Sequence, residues 1–362
     1  MKIGIVTPFD SRNFGNRLQN YALQQVLLGY GDQVVTIKNK PALPSLTDRL
    51  RRAAPLAESV LVNRLVGEKR KARFLQFNRE YLHFTRRGYW YNRRRGALRK
   101  EDTCDWYCAG SDQIWNPQLD REGDFNFLRF AQRERTFSYA ASFGVAAVPE
   151  EKQEAVQKGL NHIRYLSVRE TAGKRIVEEL TGRTDAEVLP DPTLLLRLED
   201  WEVVMKKTRR PLPEAYLLAY FLGDVPGERR SAISQRAEAL GLEVVELMDR
   251  NSPFYESGPG EFLYLIRHAA LVCTDSFHGG VFSFLFQRPL ILFERAGEGN
   301  CMGSRLETLT KTYHLEACRA EGNSLPKIPA SADYTQGYGV LQKERLRANA
   351  FLDRIFRSEE RE

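Results

Sequence analysis

The 362-residue chain contains no run of 18 or more apolar residues, so no membrane-spanning helix is expected. Its five cysteines are Cys104, Cys108, Cys273, Cys301 and Cys318. They form no C-x-x-C pair, and Cys104 and Cys108 have no Cys/His pair at zinc-site spacing to complement them. Reduced, mostly buried thiols are expected, and a disulfide scaffold is excluded. The sequence also lacks a Walker A loop, H-E-x-x-H and G-x-S-x-G. Asn13-Phe14-Gly15-Asn16 is only a loose glycine turn, so dinucleotide binding of the G-x-G-x-x-G kind is weakly supported. The opening residues MKIGIVTPFDSRNFGN have no long apolar region and no small-residue cleavage site. A secretory signal is therefore not expected, and the cytoplasm is the expected compartment.

What is present is ordinary globular chemistry, with 42% hydrophobic and 28% charged residues in a length that suits two domains. The net charge of +7 is uneven. Residues 49–100 hold 16 Lys/Arg against 3 Asp/Glu, a net of +13, so the remainder carries −6. Within this segment, residues 66–84 place Phe74, Phe77, Tyr81 and Phe84 at helical spacing among Lys69, Arg70, Lys71, Arg73 and Arg79. Such a helix can lie on an anionic membrane, bind nucleic acid, or cover a domain with its charges in solvent. The charge run alone supports nucleic acid, and no nucleic-acid partner is expected.

Apolar runs alternate with helical periods along most of the chain. Strands are predicted at residues 2–7, 33–37, 106–109, 135–140 and 165–168, with helices at 16–28 and 149–160. After Pro190-Asp191-Pro192 the rhythm restarts. Strands are predicted at 215–222, 242–247, 270–274 and 289–293, with helices at 229–240, 260–268 and after Asp275, and a charged tail helix at 343–357. The reading is an α/β chain of two Rossmann-like domains facing a central cleft. The expected domains are residues 1–189, carrying the basic segment, and 190–340. Residues 341–362 are expected to form a helix that returns to the first domain. The default binding site is the cleft between the domains.

Three strand-to-helix junctions carry candidate chemistry. His278, followed by Gly279 and Gly280, opens a helix after a strand, where exposed N–H groups attract an anion. A histidine there can bind phosphate or move a proton, or can simply cap the helix. Arg169 has the same placement in the first half. It suits phosphate or carboxylate oxygens, or pairs with Glu170 at the surface. Gly110-Ser111-Asp112-Gln113 ends another strand, and Asp112 can serve as a base, bind sugar hydroxyls, or cap a turn.

Six ordered motifs resemble the polysaccharide pyruvyl transferase family. They are NFGNRLQNYAL (13–23), GSDQIWNP (110–117), SVRE (167–170), DPTLL (191–195), TDSFHG (274–279) and GSRLETL (303–309). The resemblance implies a fold similar to two-domain, GT-B-like glycosyltransferases. It implies transfer of a pyruvyl group from phosphoenolpyruvate to a sugar of a surface or exopolysaccharide precursor, with phosphate released, a ketal formed and no metal or organic cofactor required. Catalytic roles would fall to His278, Asp112 and Arg169. Donor contacts would fall to Arg169, Ser276, Phe277, His278, Gly279 and Arg305, and acceptor contacts to Asn13, Gly15, Asn16, Ser111, Asp112 and Gln113. The family often has Arg-Leu-His where this chain has Ser276-Phe277-His278. Either Arg169 and Arg305 supply the missing charge, or the donor differs. Family acceptors include sugars on lipid diphosphates. The basic segment with Phe74, Phe77 and Trp90 would then suit peripheral binding at the inner membrane face. The competing readings are a glycosyltransferase using a nucleotide sugar and a non-catalytic saccharide-binding member.

Overall fold

Parallel strands covered on both faces read as near-continuous apolar runs, and KIGIV, the first such run, is at the centre of a parallel sheet. The computed structural model describes residues 1–9, 13–38, 58–86 (58–66 as backbone), 98, 100–119, 123–296, 303–322, 324–326 and 333–357. In the first half, β1 (Lys2–Val6), β2 (Gln33–Thr36), β3 (Trp106–Ala109) and β4 (Thr136–Ser138) lie in the order β2-β1-β3-β4. Bridges from Phe137 to Tyr165 and from Ala141 to Val168 continue it to β5 (Ser167–Val168) and β6 (Glu187–Val188). The longer helices of this half, among the described residues, are α1 (Phe14–Leu27), α2 (Glu58–Tyr81), α3 (Glu150–His162) and α4 (Thr171–Thr181).

The second half repeats the plan. It comprises β7 (Tyr216–Tyr220), α5 (Gly227–Ala239), β8 (Glu243–Glu246), α6 (Pro259–His268), β9 (Leu271–Thr274), α7 (Phe277–Leu285) and β10 (Leu290–Leu292). The strands are parallel in the order β10-β9-β7-β8. The period of two sorts their side chains. Tyr216, Leu218, Tyr220 and Val272 pack toward α6 and α7, while Leu217, Ala219, Leu271 and Cys273 pack toward α5. Two helices follow, α8 (Gly303–Tyr313) and α9 (Thr335–Phe356). Ala348, Phe351, Leu352 and Ile355 of α9 are buried against Ile3, Ile5, Trp106 and Phe137 of the first sheet.

Each sheet has one point where successive connections leave toward opposite sides. It lies between β1 and β3 in the first half and between β7 and β9 in the second. Ligands of open α/β sheets bind beyond the strand ends at such points. Here the two switch points face each other because α1 is shared. Its Leu23 and Leu27 pack on the first sheet, whereas Phe14, Leu18 and Tyr21 join the core of the second half. Phe14 stacks on Phe262 with ring centroids 4.6 Å apart, and on Phe74 at 5.3 Å.

This shared core corrects the expectation for the basic helix. Phe74 and Phe77 are 0% and 4% exposed and pack with Phe14 and Phe262, so they do not form an apolar face toward a membrane. Arg70 is buried as well, 4.4 Å above the Phe14 ring and donating to the Tyr255 carbonyl at 2.8 Å. An aromatic stripe gains most by burial, and the second half supplies the surface that buries it. Trp90 lies outside the described residues. Among the described residues no helix is long and apolar enough to cross a membrane.

Candidate functional site

The loops after β1, β3, β7 and β9 meet around a cavity of about 210 Å³. Asn13, Asn16, Asp112 and Gln113 line it from the first half. Leu222, Ser276, Phe277, His278, Arg295 and Arg305 line it from the second. Each wall has a local cause. Asn13 caps α1, its side chain accepting from the Asn16 N–H. Ser276 caps α7 in the same way, its hydroxyl accepting from the Gly279 N–H at 3.3 Å. His278 therefore sits in the first turn of α7, directed at the opposite half.

Two glycines expected at a ligand have packing roles. A Cβ on Gly15 would overlap the His278 ring, so its absence lets α7 approach α1. A Cβ on Gly279 would overlap Thr274. Ser111 is also buried, and its hydroxyl donates to Asp191 Oδ2 at 2.9 Å.

Asp191 anchors the frame beneath the cavity. It accepts from the Thr193 N–H and hydroxyl at 3.0 and 2.7 Å and from Arg169 Nη1 at 2.6 Å, and lies 3.6 Å from His278 Nε2. Burial would raise its proton affinity, but His278, Arg169 and Thr193 outweigh that and hold it far below the ordinary carboxylate range. Arg169, expected to grip a ligand, is buried in this frame and is not among the residues lining the cavity; Nη1 is bonded to Asp191, while Nε and Nη2 have no hydrogen-bond partner among the described residues. Its guanidinium is covered by Phe277 at 4.5 Å, bonded to Asp191, and 3.8 Å from Asp112. Glu170 is buried next to it and accepts from the Ser142 hydroxyl and the Phe143 and Gly144 N–H groups.

Asp112 projects from this frame into the cavity. Its φ of +68° is in the left-handed region, a conformation that costs about 1–2 kcal/mol for a residue with a Cβ. Asn16 Nδ2 donates to its Oδ2 at 2.8 Å. Burial alone would push its pKa up, yet Arg169, His278, Asn16 and Arg305 lower it below the usual carboxylate value. Arg305 behaves in the opposite sense. Burial and the charges of Arg169 and Arg295 pull its pKa down to about 9, although Glu170 and Asp112 act to raise it. Gln113 Oε1 accepts from Asn116 Nδ2 at 2.9 Å, and with its amide swapped end for end the oxygen would instead accept from Arg305 Nη1 at 3.0 Å.

Arg295 was not legible from a motif. It follows β10, which lies beside β9, and parallel pairing brings it to the mouth beside Ser276. Its Nε is 3.5 Å from the buried Asp275, whose carboxylate accepts from the Leu222 and Gly223 N–H groups at 2.7 and 2.9 Å. The cavity thus presents two guanidinium groups and a histidine on one wall, and amides with one ionised carboxylate on the other.

The chain is similar in structure to UDP-GlcNAc 2-epimerase from Methanocaldococcus jannaschii (11% identity, TM-score 0.46, covering 94% of this chain and 92% of that one). It is similar to UDP-GlcNAc 2-epimerase from Neisseria meningitidis bound to UDP-GlcNAc (8%, 0.44, 97% and 100%). A heptosyltransferase from E. coli with ADP is a further match (11%, 0.37, 95% and 100%). No curated protein matches the chain. The family model for polysaccharide pyruvyl transferase matches residues 13–297, a span that holds Asn13, Asp112, Arg169, Asp191, His278 and Arg295 and ends short of Arg305. That span covers well over half of the sequence, and the chain belongs to the polysaccharide pyruvyl transferase family.

Proposed function

We propose that this chain transfers a pyruvyl group from phosphoenolpyruvate to a saccharide, forming a ketal across two hydroxyls and releasing phosphate. The observation that carries the reading is the cavity wall of Arg295, Arg305 and His278 at the start of α7. Phosphoenolpyruvate is small and carries a phosphate and a carboxylate. Two guanidinium forks and a helix start match two anionic groups. Arg295 and Arg305 then replace the charge that Ser276 does not provide, and Arg169 is a positioning residue that keeps Asp112 ionised.

The chemistry follows in balanced steps. A proton added to the methylene carbon of the donor leaves positive charge at C2, and a saccharide hydroxyl adds there and loses its proton. The C2–O bond to phosphate then breaks and the bonding pair leaves with phosphate; a second hydroxyl adds to C2 to close the ketal and loses its proton, so that of the two hydroxyl protons released one replaces the proton given to the methylene carbon and the other leaves on phosphate. His278, protonated, is the donor of a proton to the methylene carbon or to the departing phosphate. Asp112 is too weak a proton acceptor to be an efficient base at neutral pH. Its role is to orient a hydroxyl and to stabilise positive charge at C2.

Calorimetry with phosphoenolpyruvate tests the donor. Saturable binding to the wild type, weakened at least about tenfold by Arg305→Ala and by Arg295→Ala, is expected. With a saccharide acceptor, phosphorus NMR should follow phosphate release, and His278→Ala should stop it without loss of fold. Absence of phosphoenolpyruvate binding, or full activity of His278→Ala, overturns the assignment.

A further inference from the structure

The second half carries another cavity, of about 230 Å³, beyond the C-terminal ends of β7 and β8. Its walls include Phe221, Ile233, Val244 and Met248. Val244 is 38% exposed, so apolar surface faces the opening. The rim carries Asp224, from the turn after β7, and Glu246, the last residue of β8. Arg230 of α5 pairs with Oε1 of Glu246.

The topology gives this arrangement a meaning. β7, α5 and β8 form a parallel βαβ unit at one edge of a doubly wound sheet of order β8-β7-β9-β10. In dinucleotide-binding units of this kind, a carboxylate at the end of the second strand takes the ribose hydroxyls, roughly 20 residues after the glycine turn. Glu246 occupies that place relative to Gly223. An ionised carboxylate is an acceptor only, and with Oε1 paired to Arg230 the second oxygen of Glu246 is left to take a ribose hydroxyl. The acidic rim is unsuited to phosphate, so any phosphate must leave the cavity.

The exit is defined by two adjacent residues. Gly223 lines this cavity, and Leu222 lines the central one. Arg295 lies against Gly223, where a Cβ would overlap its side chain. Its Nε and Nη2 have no hydrogen-bond partner among the described residues. The N–H groups of Leu222 and Gly223 are occupied by Asp275, so a diphosphate crossing this turn would be met by Arg295 and not by the backbone.

We propose that the cavity beside Glu246 binds the nucleoside of a nucleoside diphosphate sugar, whose sugar enters the central cavity as the acceptor. The acceptor role rests on the pyruvyl transfer reading, while the nucleoside site stands without it.

Calorimetry of the full chain with UDP, ADP, GDP and CDP, their 2′-deoxy counterparts, and phosphoenolpyruvate separates the two. At least one ribonucleoside diphosphate should bind with Kd below about 1 mM. Loss of the 2′-hydroxyl and Glu246→Gln should each weaken it about tenfold or more, and the two losses should not add. Ser234→Trp, at an exposed position of α5 lining the cavity, should abolish it. Both variants should keep phosphoenolpyruvate affinity, and Arg295→Ala should weaken both ligands. Failure of all four ribonucleotides to bind overturns the nucleoside site. So does binding indifferent to the 2′-hydroxyl, Glu246→Gln and Ser234→Trp. Nucleotide binding without any phosphoenolpyruvate binding overturns the donor assignment and leaves this site standing.

Discussion

Charge at the site is controlled residue by residue. Burial and the neighbouring guanidinium groups leave Arg305 with a pKa of about 9, so it is charged at neutral pH but loses its proton earlier than an ordinary arginine. A bound anion favours the charged form and raises that value. Phosphoenolpyruvate affinity should therefore be steady between about pH 7 and 8, above the second ionisation of its phosphate, and fall as pH rises past 9. A calorimetric pH series checks this, and Arg305→Ala should remove the alkaline fall. Asp191 acts through the fold. Its pKa is depressed, so its contribution to stability is present above the ordinary carboxylate range and is lost only in strong acid. Asp191→Asn leaves Arg169 and His278 facing a neutral group in a buried site. It should cost about 3–5 kcal/mol, read by urea denaturation at pH 7. The left-handed φ of Asp112 fits the same pattern, with backbone strain retained where a side chain must face the cavity.

Among the elements, α1 and α7 set the site by their mutual approach. Gly15→Ala places a Cβ inside the His278 ring, so either His278 turns away or the two helices separate. Activity should be lost together with melting temperature. Gly339→Ala in α9 is the contrasting case, since a Cβ there meets nothing within 4 Å. It should stabilise the protein by about 0.5–1 kcal/mol through the reduced freedom of the unfolded chain, with activity unchanged. Differential scanning calorimetry of both variants distinguishes packing from propensity. Strands were legible because two-sided burial leaves apolar runs such as AYLLAYFL, whereas helix limits were less so. α2 already runs from Glu58 and not from near residue 66 among the described residues, and α9 begins at Thr335, eight residues ahead of the periodic tail. α8 was not read as a helix, although its GSRLETL motif was noted.

For the whole molecule, the decisive contact is the aromatic core joining the two halves. Phe14 lies between Phe74 and Phe262, so Phe14→Ala removes packing on both sides. A loss of about 3–5 kcal/mol is expected. Because the same contact holds the cavity walls together, phosphoenolpyruvate affinity should fall in parallel, measured by calorimetry at a temperature where the variant remains folded. α9 adds a second tie. Arg345 donates to the Leu194 and Leu196 carbonyls at 2.9 and 2.7 Å, near the passage from one half to the other.

Much of the site was legible in the sequence because strand-to-helix junctions announce themselves. Asn13, Asn16, Asp112, Gln113, Ser276 and His278 each follow a strand, and parallel sheets collect such loops at one edge. Alternation, periodicity and capping chemistry are local, so the sequence by itself determined the two α/β units and which junctions carry polar groups. Only the tertiary structure decided how those junctions are used. It buried Arg169 under Phe277, packed Gly15 against His278, tied Ser111 to Asp191, and brought Arg295 to the mouth through the pairing of β10 with β9. It also turned Phe74 and Phe77 inward. A helical aromatic stripe has the same spacing whether it meets lipid or protein, and the partner that removes it from water is set by the packing of distant segments.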